Sequence, residues 1–386
     1  QRQMCIRDRK MSGSFTVSTL KENNKKMILR YLYKQKKATP LMIQKETGLS
    51  RPTTAQILKE LMQEEILRIN GLADSTGGRK ANLYEYEALK KVAIGVEIVA
   101  DHFELAAVDL YGELLKYEKR WQIFSMEETY LEQVCADIRR FIDSLEAEEE
   151  QILGVGIAIQ ALISSDGSHI IYGKILDCDG LDIQEFSKRI PYPCRFNHDA
   201  ESVANVELWN QPSLKNAIYF NVREDVSGAM IIGRKYFQDG PYKSGIFEHM
   251  TIVPNGRPCY CGKKGCVNAY CSLHGLLKHQ EDIQSFFRKL RGGSQTHQKR
   301  WVKYLKYWAV AIDNLHMTIN SHIILGGLLS RYLTEEDIDY LHQLVREVSA
   351  FPVEERFIEV SRCGNLPACI GAALPYVQEY LEEQMK

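Results

Sequence analysis

Three cysteines in the run Pro258-Cys259-Tyr260-Cys261-Gly262-Lys263-Lys264-Gly265-Cys266 constrain this chain more than any other stretch. Thiolates this close together, with two glycines to turn the backbone, are the makings of a tetrahedral cation site, and His249 upstream completes the set. Four protein ligands leave no position for a catalytic water, so a closed, structural Zn site is expected at His249, Cys259, Cys261 and Cys266. The residues alone leave one alternative, three buried thiols in a loop.

At 386 residues the chain exceeds what one small core organises, and two or three domains are expected. No apolar run approaches the ~18 residues of a membrane span, and the basic start lacks the apolar region of a signal peptide. The chain opens on Gln1, and Met11 reads as the natural start. Ten cysteines, scattered apart from the one cluster, fit reduced thiols in a cytoplasmic protein better than a disulfide framework. The net charge of −1 conceals a split: residues 1–91 hold 19 Lys and Arg against 9 Asp and Glu, a net of +10, and the remainder 30 against 41, a net of −11. A basic head on an acidic body is the layout of a nucleic-acid-binding module joined to something else.

Along the head, residues 1–19 lack periodicity and read as a disordered leader. From Leu20 a helical pattern sets Met27, Ile28, Tyr31 and Leu32 on one face. Thr39-Pro40 begins a second helix that Gly48 ends, and Ser50 caps a third with Ala55, Ile57, Leu58, Leu61 and Met62 as its inward stripe. Strand-like Ile66–Ile69 and Asn82–Tyr86 flank a basic, glycine-rich loop. This is a winged helix-turn-helix over 20–87, with a helical hairpin for protein contact as the alternative. The start of the third helix is where side chains reach base edges, which singles out Ser50, Arg51, Thr53, Thr54, Gln56 and Lys59 for duplex DNA. Arg51 and Gln56 serve equally well as base readers or phosphate contacts, and Arg79 and Lys80 on the wing suit the minor groove or the backbone.

From Val92 the pattern turns to β segments: Val92–Val99, Phe103–Leu110 and Leu114–Trp121, then a helix through Tyr130 and Ile142, then the buried strand Ile152–Ile159. A second set begins with a strand from Arg195 to Asn197, a helix over 199–209, strands Ala217–Val222 and Ser227–Ile232, the cysteine knuckle, long helices, a strand Ile323–Leu325 and a closing helix from Pro367. Strands, helix and strand, loosely repeated, give an α/β fold of two lobes.

Taken together, these residues resemble the ROK family (repressors, open reading frames, kinases), in the branch with an N-terminal winged helix-turn-helix. The likeness runs from Leu20 to the C-terminus. It rests on Cys259, Cys261, Gly262, Gly265 and Cys266 of the knuckle, His249 as the fourth ligand, Asp199, Gly156-Ile157-Ala158, Gly326-Gly327 and Gly371-Ala372-Ala373. The resemblance implies a two-lobed actin-like (ribonuclease H-like) body. Lobe 1 is expected over 92–195, and lobe 2 with the zinc knuckle over 196–386, its last helix packing back on lobe 1. It also implies a homodimer or homotetramer, a DNA operator as partner, no membrane, and a sugar or sugar derivative as effector.

The family's kinases hold phosphate on glycine-rich turns. Here the corresponding runs are Glu97-Ile98-Val99-Ala100-Asp101-His102 and Arg223-Glu224-Asp225-Val226-Ser227-Gly228, with side chains and acids where glycines would stand. No catalytic residue is expected, since a base at Asp199 is idle without a phosphoryl donor. Implied ligand contacts fall on His198, Asp199, Glu248 and His249, but two family carboxylates are replaced by Ile246 and Asn268. Asp199 alternatively caps the helix that follows, and His249 either ligates metal or meets the sugar. The expected function is a transcriptional regulator, a repressor, of carbohydrate-related genes. The alternatives are a ROK sugar kinase, or a regulator whose pocket no longer binds ligand.

Overall fold

The computed structural model describes residues 17–74, 80–237, 245–353, 355–364 and 367–386. It divides into one unit of residues 1–90 with 378–386 and a second of 91–377. No helix of the described residues is long and apolar enough to cross a membrane.

In the first unit, helix Val17–Gln35 buries Ile28, Leu29 and Leu32, and helices Pro40–Thr47 and Arg51–Gln63 pack beside it. Both later helices start as their sequences dictate: the Thr39 side chain accepts from the Met42 N–H and the Ser50 side chain from the Thr53 N–H. A three-stranded antiparallel sheet, ordered Lys37–Ala38, Asn82–Tyr86, Leu67–Leu72, completes a winged helix-turn-helix. The two-residue strand Lys37–Ala38 has no alternation that periodicity can detect. One detail of the third helix differs from the sequence reading. Ala55 is exposed, while Thr54 is 0% exposed and takes its place in the inward stripe, its hydroxyl donating to the Ser50 carbonyl at 3.0 Å.

The second unit holds two five-stranded sheets with the same topology. The first is ordered Cys194–His198, Ile152–Ile159, Val92–Ile98, His102–Val108, Leu114–Trp121, and the second Lys235–Tyr236, Val226–Ile232, Ala217–Val222, His322–Gly326, Ile358–Val360. In each, the first three strands in chain order form an antiparallel meander and the last two add in parallel. This duplicated α/β arrangement is the actin-like fold. The strand Cys194–His198, read above as opening the second lobe, is instead the fifth strand of the first sheet, paired with Ile152–Ile159 in register Arg195 to Gly156. A five-residue segment whose partner lies some forty residues away carries no local sign of which sheet it joins.

The C-terminal helix Pro367–Met385 lies against the first sheet's central strands, and glycine makes that possible. A Cβ on Gly156 would stand 1.9 Å from the Ala372 carbonyl oxygen, and one on Gly95 1.7 Å from that of Cys369. Pro375, inside this helix, has no N–H to offer the Gly371 carbonyl; Asn205 donates to that oxygen instead, at 3.0 Å. In the second lobe, long helix Gln295–Thr318 packs Trp308 edge-on to Phe220, which also meets Phe247 from the segment leading into the knuckle. The knuckle is thereby set on the lobe's core.

Candidate functional site

The four-residue cluster is built by short-range backbone bonds. Cys259 N–H donates to the Lys263 carbonyl and Gly262 N–H to that of Cys259, closing a tight turn; Gly265 N–H donates to the Arg257 carbonyl. Gly262 and Gly265 sit at φ 84° and 83°, and a Cβ on Gly265 would lie 1.8 Å from the Val253 carbonyl, so only glycine fits there. His249 reaches the turn from the single-turn helix Phe247–His249, and Lys263 donates to its carbonyl at 3.0 Å.

The ligand atoms of His249, Cys259, Cys261 and Cys266 all lie within 4.8 Å of one another. Cys259 Sγ is 3.6 Å from His249 Nδ1, and the Sγ atoms of Cys261 and Cys266 are 3.7 Å apart. A tetrahedron with metal–sulfur bonds of about 2.3 Å has edges of about 3.8 Å, so these four groups fit a metal ion. Burial pushes the Cys266 thiol up to about 12 and raises that of Cys259, while burial and nearby Lys263 lower His249. Thiols so disposed stay protonated unless a cation replaces the protons.

Next to the cluster, the ends of both sheets form a cleft. Asp199 is 4% exposed and is the first residue of helix Asp199–Asn210, whose N-cap is His198. Its Oδ2 accepts from Asn221 at 2.8 Å and Ser227 at 2.7 Å, so Asp199 is held by the second sheet rather than spent on capping; the capping alternative is overturned. Asp199 Oδ1 is buried without a hydrogen-bond partner, as are Glu248 Oε2 and His198 Nδ1, the last 3.5 Å from Asp199 Oδ1. Burial, with Asp199 close by, pushes Glu248 up to about 8, leaving it a neutral donor at neutral pH.

His198 and His249 line a cavity of about 410 Å³ together with Ile171, Ile175, Ile246 and Tyr260. Asp199 lines a neighbouring one of about 470 Å³. Of the four expected ligand residues, His198 and His249 thus share one cavity and Asp199 lines its neighbour, whereas Glu248 is buried and lines neither of the two. The sequence reading missed Asn221 and Ser227, which fix Asp199, and Tyr260 on the wall; Asn221 belongs to no motif, and Ser227 and Tyr260 stand in their runs only as spacer positions.

The second cavity coincides with the two altered phosphate turns. Val99 N–H bonds the His102 carbonyl and Arg223 N–H that of Asp225, so both runs are tight hairpin ends. Between them Arg223 donates to buried Glu97, an ion pair joining the two lobes, and the Glu97 charge holds the arginine above its ordinary range.

On the head, Ser50, Arg51, Gln56 and Lys59 are exposed and Thr53 half-buried around the first turns of helix Arg51–Gln63. Thr54, expected among the DNA contacts, is fully buried and is withdrawn from that set, its hydroxyl being spent on the Ser50 carbonyl. Gln56 donates to Glu60 at 3.1 Å. Lys80 is exposed at the edge of the wing, whereas Arg79 lies outside the described residues.

Comparison with known proteins agrees with both halves. Residues 93–378 match the model of the ROK family, and residues 21–68 that of a winged helix-turn-helix DNA-binding family. A putative xylose repressor of Caldicellulosiruptor sp. (strain Rt8B.4) is 23% identical over 263 residues, 67% of this chain and 66% of that protein, just under two thirds of its length. The xylose repressor of Caldicellulosiruptor bescii is 23% identical over 387 residues, 94% of this chain and 97% of that one. Among solved structures, a ROK family transcriptional regulator, homolog of E. coli MLC protein, superposes with a TM-score of 0.74 at 18% identity, covering 95% of this chain and 98% of its own. A ROK family glucokinase from Streptomyces griseus, in complex with glucose and AMPPNP, gives 0.65 at 19%, covering 74% of this chain and 99% of its own.

Proposed function

Because this chain belongs to the ROK family, we infer that it is a DNA-binding transcriptional repressor of carbohydrate-related genes. The observation that carries this reading is the winged helix-turn-helix, with Arg51, Thr53, Gln56 and Lys59 around the start of its third helix, in front of a ROK body. A xylose repressor matched over 94% of this chain supports it. In this reading Arg51 and Gln56 meet base edges, while Ser50, Thr53, Lys59, Arg79 and Lys80 hold the phosphates.

The body acts as the sensor. His198, Asp199, Glu248 and His249 would meet a sugar or sugar derivative, the buried, unpaired atoms of the first three satisfied by its hydroxyls. Ligand then shifts the lobes between open and closed populations, and operator affinity with them. Zinc is the ion that best suits one imidazole and three thiolates, and it would fix the knuckle rather than take part in chemistry. The chain works as a homodimer or homotetramer, matching a pseudo-palindromic operator.

Kinase activity is not part of this proposal. The phosphate turns carry Glu97, Asp101, Glu224 and Asp225, and the space between them is spanned by the Glu97–Arg223 pair. A coupled ATP-consumption assay over common hexoses is expected to show no turnover. The decisive experiment is fluorescence anisotropy with promoter DNA near carbohydrate genes at moderate salt. Specific binding that a sugar modulates supports the reading; equal affinity for any duplex sinks it.

A further inference from the structure

Alongside the knuckle lies a cavity of about 830 Å³ whose charge is opposite to that of the body around it. Residues 92–386 carry a net of −11. The described lining of this cavity nevertheless holds Lys174, Arg257, Lys278, Arg300 and Lys303 against one carboxylate, Asp225.

Two of the cations are matched already: Lys174 by Asp179 at 2.5 Å and Arg300 by Glu281 at 2.7 Å. Asp225 is engaged by Asn268 at 2.7 Å. Arg257 donates to the carbonyls of Ala269 and Gly275, at 3.2 and 3.1 Å, and stacks over Tyr270 with its guanidinium 4.8 Å from the ring centre. Neutral partners fix its position and leave its charge uncancelled. Among the described residues no carboxylate pairs with the Lys278 or Lys303 side chain. They approach from different elements, Lys278 just past the short helix Leu273–Leu276 and Lys303 on helix Gln295–Thr318. Three cations without a carboxylate of their own therefore converge on one concave space, which in an acidic protein favours a multiply charged anion over water.

We propose that this cavity is an anion site for a phosphate dianion, with Arg257 as its fixed wall and Lys278 and Lys303 closing on the remaining oxygens. Three cationic side chains from three separate segments suit a tetrahedral, three-oxygen face better than a two-oxygen carboxylate. The dianion comes either as free phosphate or as the ester of a sugar. The cavity shares Lys174, Ile175 and Tyr260 with the smaller one beside His198, so an ester has room for its carbon skeleton. The site is independent of DNA binding by the head, and either can fail alone.

Isothermal titration of the full chain at constant ionic strength tests this, with inorganic phosphate, glucose 6-phosphate and glucose as separate titrants. The matched variant is Lys278→Ala/Lys303→Ala; both lysines are exposed, and its melting temperature should equal that of the wild type. The expected result is saturable binding of phosphate or its ester, weakened about tenfold for each lysine removed. Equal affinity for phosphate and ester identifies free phosphate as the ligand; tighter binding of the ester than of phosphate and glucose identifies the ester. The proposal is overturned by binding that survives the double substitution, by glucose binding as well as its ester, or by no binding of either phosphate at millimolar concentration.

Discussion

At the residue scale, Thr54 and Arg51 separate two jobs that adjacent positions on one helix perform. Thr54 faces the core and Arg51 stands exposed at the first turn. Arg51→Ala should weaken operator binding by about 1–3 kcal/mol and leave the melting temperature unchanged. Thr54→Val, which loses only a hydroxyl bonded to its own helix, should alter DNA affinity far less. Anisotropy and thermal melts on both variants check the pair. Glu281 gives a second residue-level expectation. Burial would raise its carboxyl, but hydrogen bonds from Arg300, the Lys278 N–H and His297 outweigh this and carry it down to about 2. A carboxyl lowered on folding stabilises above its ordinary value of 4.5, and that contribution is lost as pH falls through about 2. The melting-temperature gap between wild type and Glu281→Gln should accordingly be full at pH ~6 and close as pH falls towards ~2.

At the element scale, the contact between the C-terminal helix and the first sheet is decided by backbone, not by side chains. Gly156→Ala would drive a methyl group into the Ala372 carbonyl and should cost about 3 kcal/mol, measurable as a lower midpoint in urea. Gly156 and the run Gly371-Ala372-Ala373 were legible in the sequence as features of interest, though only the structure shows that they meet. The same limit applies elsewhere. Caps at Thr39 and Ser50, and the period of each long strand, are local signals and could be read directly. The sheet that Cys194–His198 joins, the pair Lys37–Ala38, and the support of Asp199 by Asn221 and Ser227 depend on partners distant in sequence. In the candidate site, the knuckle was legible because its ligands are close in sequence. The basic cavity was not, since its cations come from positions 174 to 303.

At the scale of the whole molecule, the cluster of His249, Cys259, Cys261 and Cys266, holding the proposed ion, would tie the second lobe's loops to its core. Cys266→Ser should reduce bound metal to background by elemental analysis and lower the melting temperature by roughly 10 °C, because an ion held only in the folded state adds its binding energy to folding. A chelator should bring the wild type to the same point. DNA contact by the isolated head surface would survive that treatment, whereas sugar response would not, and comparing the two by anisotropy separates a sensor defect from a grip defect.

Tyr260 stands between two cysteines of the candidate metal cluster and lines both the chamber beside His198 and the basic chamber next to it. One aromatic ring, pinned on either flank, therefore shapes two rooms at once. If the cluster holds the proposed ion, stripping it would let that shared wall sag, and the proposed response to small molecules would be lost before the protein came apart.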